Sequence, residues 1–398
     1  MYDYRAMKRY GMTIRYALMQ AAYWMTASFI YANTDVFLSR YGLGSSEIGL
    51  ELALSSAAAA LAQPAVAAAL DRSRRITLSQ AIALLASIAI ILSLITCFAN
   101  TPFTVALLFG TMAAVTITIQ PLVNAVGFAC IDDGQWLDFS AARGIGSGAY
   151  ALIILAFSAL AAVHVNYMLY LYMALNVLLI LSLFLFRLPK RDSVISAQQP
   201  TNTFVLLKKN WKFALLLLGI VFALFGHQVI NSFMLFIVQE RGGGVMERGL
   251  AVSISAMLEI PAMMLFSTVA KKIRIDTIFK ISAIFYTVKA SLLLPNWGMA
   301  GVYISQVTQI LAFAIFLPAG AYYVNELLDE ADQIKGQALL TTSITLSAVF
   351  ASFFGGIMMD NIGVMKTLQI GAAISAVGSV IMVLCTERVH PKNITETE

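Results

Sequence analysis

Apolar residues in this chain neither alternate nor recur on one helix face. They run in blocks of roughly twenty, divided by short polar breaks. A helix rises ~1.5 Å per residue, so about 20 apolar residues cross a hydrocarbon core about 30 Å thick. Twelve blocks predict twelve membrane helices, at 12–37, 46–70, 77–98, 102–130, 140–163, 167–187, 211–238, 248–270, 277–294, 300–328, 337–359 and 365–385. Most breaks are short. The exception, LPKRDSVISAQQPTNTFVLLKKN at 188–210, is polar, holds two prolines and lies near the middle of the chain. The expected fold is therefore an all-α membrane protein of two six-helix bundles, 1–187 and 211–398, joined by a linker at 188–210.

Composition agrees with that reading. The 398 residues are 60% hydrophobic and 12% charged, about half the charge of a soluble domain. Lys and Arg set the orientation. With the N-terminus inside, the basic residues at 5–9, 72–75, 187–212, 271–274, 335 and 388–392 all fall on the cytoplasmic side; only Arg40, Arg241, Arg248 and Lys366 fall opposite. Both termini and the linker are thus expected in the cytoplasm, and the chain in the cytoplasmic (inner) cell membrane. The basic start leads into a full-length span with no small-residue cleavage site, so that span is expected to stay in the protein. The net charge of +5 resides in short loops and carries no nucleic-acid signal. Cys97, Cys130 and Cys385 form no disulfide or metal spacing, and no catalytic triad, paired carboxylates or metal ligands stand out. No enzyme, cofactor or metal is expected.

The two halves echo each other. SSEIGL (45–50) and MERGLA (246–251) open corresponding blocks, and LDRSRRI (70–76) and AKKIRID (270–276) close them, displaced by 200 residues. Duplicated six-span units mark many secondary transporters, whose substrate sites lie near the midplane between repeats. The twelve spans, the central linker and LDRSRR resemble the major facilitator superfamily. Asp71, Arg72, Arg74 and Arg75 match that family's loop motif, while Ala67 and Ser73 replace its glycines. The resemblance implies a charged clasp on the cytoplasmic side of the N-terminal half. Lys271 replaces the acid in the second copy.

Polar groups at membrane depth are costly, so each needs a partner or a wet cavity. Those in the first half are Asn33, Asp35, Glu51, Gln63, Gln120, Asn124 and Arg143; those in the second are His227, Gln228, Asn231, Glu259, Lys289, Gln306 and Gln309. Glu259 and Lys289 sit at similar depth on neighbouring spans, as a structural salt bridge or as a carboxyl whose proton affinity a cation controls. Gln306 and Gln309, like Gln120 and Asn124, lie one turn apart. Each pair is either interhelical glue or one face of a polar cavity. His227 has Asn231 one turn on and reads as a hydrogen-bonded structural residue or as a solute or proton contact. Asp35 and Glu51 lie near the outer ends of their spans, where water can solvate them. Tyr23, Trp24, Phe29 and Tyr31 make an aromatic set on the first span. In DFSAARGIGSGAYA (138–151), Arg143 precedes Tyr150 by two turns among glycines. A guanidinium fork beside a flat ring suits a sugar or an aromatic acid.

That stretch is similar to the lactose-permease family of oligosaccharide–proton symporters and its phenylpropionate-permease-like branch. The resemblance implies that Arg143 binds the solute and that Tyr150 stacks on it. It places Glu259, in MLEIPA, on the glutamate linking solute and proton sites, and Lys289, in TVKASL, on a helix 9 arginine. Asn124, Gln309 and Ala312 depart from that family, where a glutamate, a histidine and a second glutamate stand. The expected function is proton-coupled transport of a small polar organic solute (a sugar, a nucleoside or a related hydroxylated compound) by alternating access. Arg143, Tyr150, Asn124, Gln120, His227, Asn231, Gln306, Gln309 and Tyr23 are candidates for solute contact, and Glu259, Lys289 and Asp35 for proton coupling. The expected partners are the solute, protons and the lipid bilayer, with the chain a monomer. Sugar or drug efflux by the same fold is the alternative, and a membrane sensor without transport a third reading.

Overall fold

The computed structural model describes residues 4–72, 76–186 and 203–389, and among these every regular element is helical. In order they are α1 Tyr4–Ala32, α2 Thr34–Ser39, α3 Ser45–Arg72, α4 Leu78–Thr96, α5 Pro102–Asp132, α6 Phe139–Val163 and α7 Asn166–Leu183. There follow α8 Thr203–Lys209, α9 Trp211–Ser232, α10 Met234–Glu240, α11 Val245–Ala270, α12 Ile275–Ser291 and α13 Gly298–Val307. A single 3-10 turn, Thr308–Ile310, leads to α14 Phe313–Leu327, α15 Glu330–Ile362 and α16 Val364–Cys385. Among the described residues, ten helical stretches are long and apolar enough to cross a membrane. They coincide with ten of the twelve expected blocks. The other two blocks correspond to α1 with α2, and to α12 at 17 residues.

Local chemistry sets the helix ends. Thr77 and Gln80 form a reciprocal capping box at α4. Thr101 caps α5, with Pro102 in the first turn, where its missing N–H costs nothing. Pro121 lies inside α5 and cannot bond the carbonyl four residues back. Gln63 repairs that loss, its amide donating to the freed Ile117 carbonyl at 3.1 Å. A polar residue read as costly is thus a backbone partner.

The chain divides into two compact units, Met1–Val194 with Gly243–Met257, and Ile195–Gly242 with Leu258–Glu398. The linker predicted at 188–210 falls largely outside the described residues, and α11 contributes its first half to one unit and its second half to the other. Residues of that first half hold it to the first unit. Ser253 donates to the Ala151 carbonyl at 2.9 Å, and Gly249 lies against Ser158. The first unit has a core built on Tyr16, Met19, Tyr23, Ile119 and Val123. The second has one built on Phe213, Phe279, Phe316 and Tyr323, with Phe279 stacked on both Phe316 and Tyr323 at 5.3 Å. Leu54, Leu61, Phe103, Phe184, Met264 and Leu384 are exposed, as lipid-facing positions are.

The echo in sequence is also an echo in geometry. Gly42 and Gly242 both take positive φ, +84° and +81°. Two residues on, the Gly44 and Gly244 amides donate to the carboxylates of Glu47 and Glu247 at 2.7 and 2.9 Å. The helix before each turn breaks at matching points, Asn33 with φ −129° and Phe233 with φ −125°. The turns that open α3 and α11 are copies of one device.

Candidate functional site

In the first unit, polar and aromatic side chains gather around Trp24 on α1. Asp138 caps α6, accepting from the Ala141 amide at 2.8 Å, which fixes where that helix begins and sets Arg143 in its second turn. The Arg143 guanidinium carbon lies 3.9 Å from the centroid of the Trp24 ring, and its Nη1 donates to Ser147 at 3.1 Å. A cation on the negative face of an indole is attracted by the ring quadrupole. Tyr150 meets Trp24 edge-on at 6.0 Å, and Tyr31 stacks on it at 6.3 Å. Tyr31 points its hydroxyl at Gln120, 3.4 Å away.

Gln20 orients this cluster from beneath. Its carbonyl accepts from the Trp24 indole at 3.0 Å, while its amide donates to Tyr16 at 2.7 Å and to Asn124 at 3.3 Å. Gly146 lets α6 approach: a methyl group there would come within 2.9 Å of Trp24 Cδ1. Gly144 faces open space. Trp24, Tyr31, Gln120, Asn124, Arg143 and Tyr150 remain partly exposed, whereas Gln20 and Tyr23 are buried. Tyr23 donates to the Thr116 carbonyl at 3.3 Å and belongs to the core. The cluster offers a cation fork, an indole face and two amides on one accessible surface. Sequence reasoning passed over Gln20 and read Trp24 only as one of the aromatic set. Their spacing of four, with Tyr31 seven further on, places all three on one face of α1.

The second unit carries a hydrogen-bonded chain. Gln309 donates to Glu259 Oε1 at 2.6 Å and accepts from Lys289 Nζ at 2.5 Å. Lys289 reaches His227 Nδ1 at 3.2 Å, and His227 Nε2 lies 3.0 Å from the Asn231 amide. An ammonium can only donate, so Nδ1 accepts from Lys289, while the Asn231 Nδ2 group stands against Nε2 on the other side of the ring. Lys289, His227 and Gln309 are buried, Glu259 is half-buried and Asn231 is exposed, so both ends of the chain are accessible. Phe313 stacks on the imidazole at 5.2 Å and Tyr286 packs at 5.4 Å. The Tyr286 hydroxyl and Gln306 Nε2 are buried without a hydrogen-bond partner. The expected Glu259–Lys289 relationship is therefore carried through an amide. Gln309 can hold that place because the helix tightens into a 3-10 turn at Thr308–Ile310, which turns it off the α-helical register of Gln306.

Asp35 and Glu51 are not solvated at an interface. Both are buried, at 1% and 7% exposure. Arg248 donates to Asp35 at 2.6 Å through Nη2 and at 3.4 Å through Nε, and its Nη1 reaches Asn33 at 3.4 Å. Arg248, read from sequence as a loop cation, is only 1% exposed. The break at Asn33 turns α2 so that the Asp35 carboxylate meets the first turn of α11. Of the charged clasp, Arg74 and Arg75 lie outside the described residues, and Asp71 and Arg72 end α3 where only the backbone is described. The three cysteines are free. A cavity of about 620 Å³ on α12 and α16 is lined by apolar residues such as Ile284, Trp297 and Val380 and holds none of the candidate residues.

Three comparisons give this geometry its setting. The family model described as Major Facilitator Superfamily matches residues 216–398. A variant of the nucleoside transporter NupG shares the fold with a TM-score of 0.79 at 16% identity, over 94% of this chain and 100% of that one. A D-xylose-proton symporter aligns with a TM-score of 0.71 at 12% identity, over 95% and 96% of the two chains. A bacterial homologue of the human lysosomal transporter Spinster, inward-facing and unoccupied, gives 0.66 at 15% identity, over 95% of each. No curated protein matches the sequence. The family model thus matches the C-terminal part of the chain, and the fold is shared with these transporters over nearly its whole length.

Proposed function

We propose that the protein is a proton-coupled secondary transporter of a small hydroxylated solute, a nucleoside or a sugar, working by alternating access. The observation that carries this reading is the Arg143 guanidinium on the Trp24 ring, 3.9 Å from its centroid, with Gln120 and Asn124 beside it. The fork donates to ring or hydroxyl oxygens, the amides donate and accept, and the indole face covers an apolar ring surface. A nucleoside transporter and a xylose–proton symporter among the proteins of the same fold support a hydroxylated ring as cargo.

Glu259 is the carboxyl proposed to take and release the proton. A proton on Glu259 weakens the pull on Gln309, which is free to reorient on Lys289; a departing proton restores it. The lactose-permease-like match at MLEIPA supports the same role. α11 carries Arg248 in its first half and Glu259 in its second. Twelve spans, cytoplasmic termini, a clasp at Asp71, Arg72, Arg74 and Arg75, a monomer and the inner cell membrane complete the proposal. The segment 188–210 stands in this proposal as the cytoplasmic linker between the two halves.

The test is a thermal-shift screen of purified protein against nucleosides, pentoses, hexoses and aromatic acids, because a ligand stabilises the state it binds. Stabilisation by nucleosides or sugars that disappears in Arg143→Ala supports the reading. Stabilisation confined to aromatic acids overturns the solute class.

A further inference from the structure

Glu51 is a buried ionisable group that the proposed cycle does not use. It lies on α3, between Leu50 and Leu54, which are both exposed, while its own side chain is 7% exposed. Neither carboxyl oxygen has a hydrogen-bond partner. Ser55, one turn along and within reach, turns its hydroxyl to the Leu52 carbonyl at 3.2 Å. No other ionisable side chain among the described residues of α2, α3 or α5 acts on Glu51. Asp35 on α2 is engaged by Arg248. Across the seam stands Gly110 of α5, and a methyl group there would come within 3.2 Å of Glu51 Oε1. The absent side chain gives the carboxyl its place.

An ionised carboxylate in such a place, with no cation and no donor, carries the full cost of desolvation; a carboxylic acid carries far less. Among the described residues only the Ser55 hydroxyl is placed to favour the charged form, and here it donates to the Leu52 carbonyl, while the carboxyl is packed against Gly110 of α5. The other buried carboxylate among the described residues of this unit, Asp35, has a guanidinium, and the exposed Glu47 caps the turn at Gly44. Glu51 differs in having no structural bond to lose when its proton leaves.

We propose that Glu51 is a second proton-binding site, separate from Glu259, which holds a proton while the α3–α5 seam is closed and releases it to water when the seam opens. The step is a simple ionisation: the O–H bond breaks, the electron pair stays on the carboxylate, and the proton passes to water. Reprotonation from water reverses it. The site stands on the first unit alone, so it does not depend on how the solute is held or on the role of Glu259.

Infrared difference spectroscopy of the purified, full-length protein tests this, with pH as the only variable. The wild type is expected to show the carbonyl stretch of a protonated carboxylic acid at neutral pH, moved by deuterium exchange and lost on raising the pH. Glu51→Gln should lack that band, and Glu259→Gln should keep it. The same titration on wild-type protein carrying ¹³C-labelled glutamate assigns the band to a glutamate should the Glu51→Gln variant fold poorly. A band unchanged in Glu51→Gln, or a Glu51 band that survives every pH at which the fold persists, overturns the proposal.

Discussion

Arg143 rests its guanidinium on the indole of Trp24, 3.9 Å from the ring centroid, one side chain from α6 and the other from α1. The pairing joins two features that looked independent in sequence, a cation in the second turn of one helix and an aromatic on another. A partly desolvated cation–π contact contributes about 1–2 kcal/mol, or roughly five- to thirtyfold in an affinity that depends on it. Trp24→Ala should weaken solute binding by about that factor. Trp24→Phe should lose less, keeping a ring but not the indole N–H that bonds Gln20. Isothermal titration reads the difference, and equal affinity in all three proteins would remove Trp24 from the site.

Gly146 provides a subtler test of the same pairing. Gly146→Ala drives a methyl group to 2.9 Å from Trp24 and 3.2 Å from the Gln20 carbonyl, so the ring must tilt off the guanidinium. Solute affinity is expected to fall several-fold. Gly144→Ala, two residues away in open space, should leave it unchanged.

Gln309 links Glu259 to Lys289. Gln309→Ala removes both bonds and leaves a buried ammonium with one acceptor fewer, a cost of about 1–3 kcal/mol. The expected result is a melting point lowered by several degrees and a loss of accumulation driven by a pH gradient. Glu259→Gln, which keeps the shape but cannot ionise, should lose accumulation and retain solute exchange. Full accumulation in Glu259→Gln would rule it out as the coupling acid.

Asp35 and Arg248 form an ion pair that is almost wholly buried. Removing one partner leaves an uncompensated charge and costs about 3–5 kcal/mol, whereas replacing both by apolar residues of similar volume is nearly neutral. Asp35→Asn and Arg248→Gln should each melt well below the wild type, and the double variant Asp35→Leu/Arg248→Met should recover most of the loss. Single variants as stable as the wild type would show that the pair is wet.

Gln63→Leu strands the Ile117 carbonyl that Pro121 leaves free, at a cost of about 1–3 kcal/mol. Pro121→Ala restores an N–H four residues on. The double variant is therefore expected to be more stable than Gln63→Leu alone, and an additive loss in thermal melting would contradict this account of Gln63.

The apolar blocks, the duplication and the presence of Arg143, Glu259 and Lys289 as charges within apolar helices were legible in the sequence, because block length and the cost of burying a charge are local properties. What escaped was tertiary. Trp24 read as one aromatic among several until Gln20 and Arg143 were seen to fix it. Arg248 read as a loop cation because its charge signals an interface, while its partner, Asp35, lies 213 residues away. Glu51 read as solvated because the close approach of α5 depends on a glycine, Gly110, that carries no signal of its own. The amide bridge of Gln309 depends on a helix break with no proline or glycine at the turn itself.

The most direct test of the central claim is uptake of labelled nucleosides and pentoses into proteoliposomes under an imposed pH gradient, with wild-type protein and Arg143→Ala compared. The account predicts that the wild type concentrates at least one of these solutes, that a protonophore abolishes the accumulation, and that Arg143→Ala, folded by its melting curve, takes up none. Wild-type uptake indifferent to the gradient, or undiminished uptake by Arg143→Ala, would contradict it.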